Sequence, residues 1–117
     1  MVEEWMEEIR KSVSPDMLGM MLVHNGVVRA SSKQGTAVKG MRLTYDRRLL
    51  AAAIDEAKSH EGIADVKAWI NEGDLGIGDD IMYVLVAGRF RTDVLPVLQG
   101  LLSKIKGEVV REEEVLA

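Results

Sequence analysis

The chain has 117 residues and no cysteine, carries a formal net charge of −4, and is 47% hydrophobic and 29% charged. This length predicts a single domain, residues 1–117, that is large enough to bury a core. The composition is typical of a globular protein and excludes disulfides, thiolate metal sites and a cysteine nucleophile.

Neither nucleic acid nor a membrane is a predicted partner. An acidic chain lacks the many Lys and Arg contacts to phosphate on which general nucleic-acid binding depends. No apolar run approaches the ~20 residues that span a bilayer. The acidic start, MVEEWMEEIRK, differs from the basic start and apolar middle of a secretory signal. We therefore expect a cytoplasmic protein.

The first 13 residues predict a short amphipathic helix, because their apolar residues recur at intervals of three and four. Ser14-Pro15 ends this helix, since proline disfavours helical geometry in the residue before it. Residues 20–29 then predict a strand that Asn25-Gly26 interrupts. That pair makes either a tight hairpin turn or a bulge in one long strand. The apolar positions of the helix are Val2, Trp5, Met6, Ile9 and Val13.

A polar loop and a second strand precede the clearest helix of the chain. Residues 31–36 predict the loop, and residues 37–45 predict the strand. The helix begins after Asp46, whose carboxylate is a good N-cap, and it ends before Gly62. Its apolar face consists of Leu50, Ala53, Ile54 and Ala57.

Two further strands are predicted on either side of the glycine-rich segment 71–80, which reads NEGDLGIGDD. The first covers residues 64–70, and the second, residues 80–88, is apolar enough to be buried on both faces. The glycine-rich segment has two interpretations, a phosphate-cradling loop or a turn. Phosphate loops join a strand to a helix, whereas this segment joins two strands and carries four acidic residues. We therefore predict a turn or hairpin.

A second strong helix follows the last of these strands. Thr92 is its predicted cap, and Pro96 falls in or just after its first turn, where a missing N–H costs little. The remaining tail is an apolar pair followed by charge. Helices among four or five strands, without a regular strand-helix-strand repeat, predict an α+β fold with helices packed on a mainly antiparallel sheet. The apolar repeat is Val94, Leu95, Leu98, Leu101, Leu102 and Ile105.

Basic residues stand at the ends of several predicted elements and are the main candidates for binding. Converging Arg and Lys side chains suit a phosphorylated or carboxylated small molecule, whereas unconnected ones are solvated surface charges. Both interpretations stay open at this point. His24 either lines a pocket or is an ordinary strand histidine. Two isolated histidines and no cysteine predict no metal site, and we expect no cofactor. The basic residues are Arg29, Arg89, Arg91, Lys104 and Lys106.

Four stretches occur in an informative order: GMMLVHNGVVRASSKQG, LTYD before a helix with AIDEA, GDLGIGDDIMYVLVAGRFR, and a helix ending LLSKIKGEVVREEE. Over residues 19–114 this order resembles the large, catalytic subunit of molybdopterin synthase. In that family a strand ends in Gly-x-Val-Arg, and a later glycine turn precedes a strand that leads to a His-Arg pair. A helix then ends in Leu-Lys, before a Pro-x-Trp-Lys segment.

The resemblance implies a fold, an activity and partners. The fold is an α/β-hammerhead-like α+β domain that forms a homodimer. Each large subunit binds a ubiquitin-like sulfur-carrier small subunit, whose C-terminal Gly-Gly thiocarboxylate enters a pocket. Two sulfur transfers convert a pterin phosphate substrate, cyclic pyranopterin monophosphate, into molybdopterin during molybdenum cofactor biosynthesis.

Three site residues follow from matching these motifs. The resemblance implies that Arg29 and Arg91 bind the substrate phosphate and that Lys106 is catalytic. Arginine suits phosphate because its guanidinium is a planar fork, and a pocket lysine can act as a nucleophile or a base.

The chain also departs from the family pattern. Phe90 stands where the His-Arg pair has histidine, and Ile70-Asn71 replaces an earlier His-Arg pair. Ile105 replaces the leucine of Leu-Lys. The Pro-x-Trp-Lys segment is missing, and a gap-free alignment places Glu113 at the second lysine. Residues 1–18 form a divergent N-terminal helical segment.

These departures leave three hypotheses. The chain is a divergent synthase subunit, or a non-catalytic relative that acts as a dimeric binding or regulatory module. In the third, the likeness is limited to the fold.

Overall fold

Three helices and six strands make up the fold in a computed structural model that describes residues 1–117. A 3₁₀ turn (Pro15–Met17) and a π-helical turn (Ile105–Val109) join neighbouring elements. None of the helices is long and apolar enough to cross a membrane. The elements are α1 (Val2–Ser12), β1 (Met20–Val27), β2 (Val38–Tyr45), α2 (Arg47–Lys58), β3 (Ile63–Ile70), β4 (Gly73–Gly76), β5 (Asp80–Gly88), α3 (Arg91–Lys104) and β6 (Val110–Leu116).

The strands form two antiparallel sheets of three strands each. The first has the order β1-β5-β3 and the second the order β4-β2-β6. The central strand of the first sheet, β5, is the nearly continuous apolar run, and its residues Val84 to Ala87 are fully buried. This arrangement confirms the predicted α+β class with mainly antiparallel strands.

Helices cover both faces of the first sheet. Helices α2 and α3 pack on one face, where the main core of 19 buried residues also takes in side chains of β2 and β4. Helix α1 packs on the other face and inserts Ile9 against Leu85 and Ala87. The apolar stripe that predicted α1 is therefore the surface that docks it, with Trp5 and Met6 beside Ile9.

Asn25-Gly26 marks a bulge, and the hairpin alternative is wrong. Strand β1 continues through both residues to Val27, and its register against β5 shifts between Gly26 and Val27. A bulge bends a strand and redirects the side chains that follow it. The end of β1 therefore turns away from the first sheet.

The glycine-rich segment is more than the predicted turn or hairpin. Residues 73–76 form β4, which leaves the first sheet and pairs with β2 in the second. Gly40 permits this pairing, because a side chain there would lie 2.6 Å from the carbonyl oxygen of Leu75. The chain returns to β5 through a turn at Gly78, whose positive φ of 86° favours glycine.

The tail and the start of α3 also differ from prediction. The tail is strand β6, which pairs with β2 along its whole length. Helix α3 begins at Arg91 without a side-chain cap, so Thr92 lies inside it and caps nothing. The cap predicted for α2 is confirmed, since the Asp46 carboxylate accepts hydrogen bonds from the N–H groups of Arg48 and Leu49.

Gly88 is closely packed, whereas Gly100 has open space around it. We expect Gly88→Ala to lower the free energy of unfolding by about 1–3 kcal/mol. A side chain there would clash with the carbonyl oxygen of Gly62 and lie 2.8 Å from Val94 Cγ2. Gly100 is exposed in α3 with nothing near it, so Gly100→Ala should raise the free energy of unfolding by about 0.5–1 kcal/mol. Urea denaturation measures both, and equal stability of the two variants would contradict this account.

Candidate functional site

A groove with a volume of about 320 Å³ lies where the exit of β1, the π-helical turn after α3 and strand β6 meet. Its floor is apolar and includes Met41 and Ile81. This volume falls in the range of small-molecule sites, which combine an apolar lining with a few placed polar groups. The charged side chains that line it are Arg29, Lys33, Lys106, Glu112 and Glu114.

Arg29 is positioned by the bulge of β1 and by the turn after β4. The N–H of Val28 donates to the carbonyl oxygen of Asp79 at 3.0 Å, and the N–H of Gly78 donates back to that of Val28 at 2.9 Å. Val28 is itself buried. Both backbone polar groups of Val28 are therefore hydrogen-bonded, and they fix the position of the backbone immediately before Arg29.

Lys106 is positioned by the π-helical turn. Ile105 and Val109, the first and last residues of that turn, are buried in the core, while Lys106 is exposed between them. The N–H of Asp46 donates to the carbonyl oxygen of Val109 at 3.0 Å and so ties the turn to the start of α2. Single π-helical turns often occur at functional sites because they redirect the side chains they contain.

The three cations of the groove have no acidic partner. Arg29, Lys33 and Lys106 form no salt bridge, although nine salt bridges occur elsewhere in the structure. Two other sequence candidates are paired: Arg89 with Asp93 and Glu61, and Lys104 with Glu56. Among the five basic candidates, Arg29, Arg91 and Lys106 are therefore free to bind an anionic ligand, and two of these, Arg29 and Lys106, line the groove.

A smaller cavity of about 220 Å³ between α2 and α3 is a weaker candidate. It is lined by Lys104, Glu56 and His60 beside apolar helix residues. Its lysine donates to Glu56 at 2.6 Å, so the cationic charge is already neutralised. A carboxylate or phosphate would have to displace that partner.

Arg91 does not reach the groove of its own chain. It is the exposed first residue of α3, whereas Lys106 follows the last residue of that helix. A helix of 14 residues is about 20 Å long at 1.5 Å per residue. The structure thus brings together two of the three predicted site residues, Arg29 and Lys106, and separates the third from them.

His24 lies beside the groove, although sequence reasoning left its role open. It is half-buried on β1, and its Nε2 lies 3.5 Å from where a side chain on Gly26 would begin. Burial lowers the pKa of His24, and the positive charge of Lys106 lowers it further. The sequence signal is the two-residue spacing of His24 and Gly26, which places both on one face of the strand.

The strand β6 contributes carboxylates to the groove. Glu112 and Glu114 line it, while Glu113 points to the other face and pairs with Arg111 at 3.4 Å. Glu113, the residue aligned with the second family lysine, therefore does not line this groove. Sequence reasoning missed Glu112 because its direction depends on the register of β6.

The groove combines three cationic side chains with two carboxylates. No group of three or more His, Cys, Asp or Glu side chains is close enough to hold a metal ion. The fold and this site define an α+β protein of two small antiparallel sheets with a cation-lined groove between them. The chain belongs to the MoaE protein family, whose match covers residues 2–108. This membership confirms the resemblance and supports a role in molybdenum cofactor biosynthesis.

Solved structures share the fold. Molybdopterin synthase from Staphylococcus aureus is 19% identical, with a TM-score of 0.77, and the match covers 96% of this chain and 84% of that one. A complex of subunits 1 and 2 of molybdopterin-converting factor from Helicobacter pylori is 18% identical, with a TM-score of 0.73 and coverage of 99% and 80%. A MoaE protein from Burkholderia ambifaria is 21% identical, with a TM-score of 0.76 and coverage of 100% and 83%. No curated protein sequence matches the chain.

The coupling of His24 to Lys106 can be measured by NMR titration of the histidine ring protons. We expect a His24 pKa below the ordinary 6.5 and an increase in Lys106→Met, because that variant loses one of the two causes. The unfolded chain binds more protons than the folded chain just below pH 6.5. The free energy of unfolding should therefore rise with pH through this window, and His24→Gln should reduce the slope.

The control is Lys104→Met, which removes a lysine that is paired with Glu56. It should leave the His24 pKa unchanged. His60→Gln assigns the two ring signals, since the chain has only two histidines. Equal shifts in both lysine variants would show that Lys106 does not act on His24 directly.

Proposed function

We propose that the chain is the large subunit of a molybdopterin synthase and converts cyclic pyranopterin monophosphate to molybdopterin. The observation that carries this proposal is the groove in which Arg29 and Lys106 face one cavity without acidic partners. Membership of the MoaE family over residues 2–108 supports it. The non-catalytic alternative, a dimeric binding or regulatory module, is not favoured.

The two groove cations have different proposed roles. Arg29 presents a planar fork to the substrate phosphate, and its backbone is held rigidly by the contacts of Val28. Lys106 is the proposed catalytic residue, because its amine, when deprotonated, can act as a nucleophile or a base at the sulfur-transfer step. Its positive charge also favours binding of the anionic sulfur.

The proposed protein partner is a ubiquitin-like sulfur-carrier small subunit. A related solved structure is a complex of subunits 1 and 2 of molybdopterin-converting factor, which supports such a partner here. The carrier's flexible C-terminal tail would enter the groove beside Lys106. A tail that ends in a thiocarboxylate adds an anion where three unpaired cations face the cavity.

We also propose a homodimer, which would give Arg91 a place in the reaction. Arg91 lies at the opposite end of α3 from Lys106, and that helix is about 20 Å long. In a dimer, Arg91 of one copy would serve the groove of the other. We further propose that residues 1–117 form one domain that includes the divergent segment 1–18, since Ile9 is fully buried against the first sheet. The proposed location of this domain is the cytoplasm.

The direct test is a sulfur-transfer assay with thiocarboxylated carrier and cyclic pyranopterin monophosphate, in which molybdopterin is the measured product. We expect the wild-type chain to form product and Lys106→Ala to lose about a hundredfold in rate or more. Lys104→Ala is the matched control, because Lys104 is bound to Glu56 outside the groove, and it should retain wild-type activity. Carrier binding without any product would instead favour the non-catalytic module.

Mixing two inactive variants tests the role of Arg91. If Arg91 serves the second copy, a dimer of Lys106→Ala with Arg91→Ala contains one groove with both residues intact. We therefore expect neither variant alone to be active and the mixture, after subunit exchange, to regain part of the activity. Failure of the mixture to regain activity, with dimer exchange verified, would contradict a shared groove.

A further inference from the structure

Glu112 lines the groove and carries an unused hydrogen-bond acceptor. Its Oε1 atom is buried and receives no hydrogen bond, and it is the only such buried side-chain atom in the structure. Buried polar atoms are nearly always hydrogen-bonded, because an unpaired buried atom loses its hydrogen bonds to water and gains none in return. Because Glu112 itself lines the groove, a turn of its side chain would bring this acceptor to a donor on a ligand bound there.

The cations of the groove do not satisfy this carboxylate. Arg29, Lys33 and Lys106 line the same cavity, yet none forms a salt bridge with Glu112. The groove thus has a cationic side, from the exit of β1 and the π-helical turn, and an acidic side on β6. A purely anionic ligand would meet repulsion from Glu112, and a purely cationic one would meet three positive charges. The complementary ligand has an anionic end and an N–H donor end.

We propose that Glu112 binds the amino-pyrimidinone edge of the pterin, while Arg29 and Lys106 bind its phosphate. This inference rests on the proposed function and adds the residue that would select the ring. A pterin presents a ring N–H and a neighbouring amino group side by side in one plane. A carboxylate accepts such a parallel pair with its two oxygens, and the charge strengthens both hydrogen bonds. The cavity of about 320 Å³ lies in the size range of sites that hold small organic molecules.

Equilibrium binding to the full chain tests this assignment with a pair of matched probes. The first probe is 6-hydroxymethylpterin phosphate, and the second is the corresponding lumazine phosphate, in which oxygen replaces the 2-amino group. We expect the wild-type chain to bind the pterin about ten- to a hundredfold more tightly than the lumazine. Glu112→Gln should lose most of this preference and keep its affinity for inorganic phosphate.

The control is Glu113→Gln, which makes the same change on the opposite face of β6 and should keep the preference for the pterin. Thermal unfolding verifies folding, and Glu112→Gln should be about as stable as the wild-type chain because the amide has the size and shape of the carboxylate.

Each other outcome overturns a specific part. An unchanged pterin preference in Glu112→Gln overturns the assignment of Glu112 and leaves the proposed function standing. Loss of affinity for the carrier's C-terminal tail, with pterin binding unchanged, assigns Glu112 to the peptide and also overturns it. If the wild-type chain binds neither pterin phosphate nor inorganic phosphate, the proposed function itself fails.

Discussion

The arrangement of the whole chain depends on β5, which is hydrogen-bonded on both sides and buried on both faces. Its antiparallel pairing with β1 places the exit of β1 beside the start of β5, where Arg29 and Ile81 line the groove. Helix α3 then runs back along β5 and delivers Lys106 to the same end. Helix α3 is about 20 Å long, and the five-residue π-helical turn continues this return path along the strand of nine residues. Arg29 and Lys106 therefore meet because β5 positions both β1, which precedes Arg29, and α3, which precedes Lys106.

The sequence predicted the elements that have a strong apolar pattern of their own. It did not predict the strands that form only by pairing with a strand far away in the sequence. Helices α1, α2 and α3 and strand β5 carry strong apolar patterns, and each is present close to its predicted bounds. Strands β4 and β6 escaped prediction, since one has four residues and the other is dominated by Glu and Arg. Both are edge strands of the second sheet and depend on pairing with β2. Charged edges also resist pairing with other chains, so the polarity that concealed β6 suits its position.

The candidate site shows the same division. Residue chemistry alone left open whether the basic residues converge, and only the resemblance singled out Arg29 and Lys106. Neither residue chemistry nor the resemblance predicted which way the Glu112 side chain points, because its direction depends on the π-helical turn that precedes β6. One extra residue per helical turn changes which residues of the following strand face the groove, since neighbours in a strand point to opposite faces. A gap-free alignment does not account for this change in side-chain direction. It therefore shows that Glu113 stands in place of a lysine, but it does not show which residues line the groove.

Charge distribution explains how an acidic protein can still bind anions. The whole chain carries a net charge of −4, whereas the groove combines three cations with two carboxylates. Anionic ligands are therefore repelled by most of the surface and attracted to one small region of it. Within that region the charge of Lys106 has two effects. It attracts an anion, and it adds to the effect of burial in lowering the pKa of His24. A neutral imidazole beside an ammonium can accept a proton, which an imidazolium cannot. Phe90, exposed at the far end of α3, offers no such group, and the imidazole beside the groove belongs to His24 on β1.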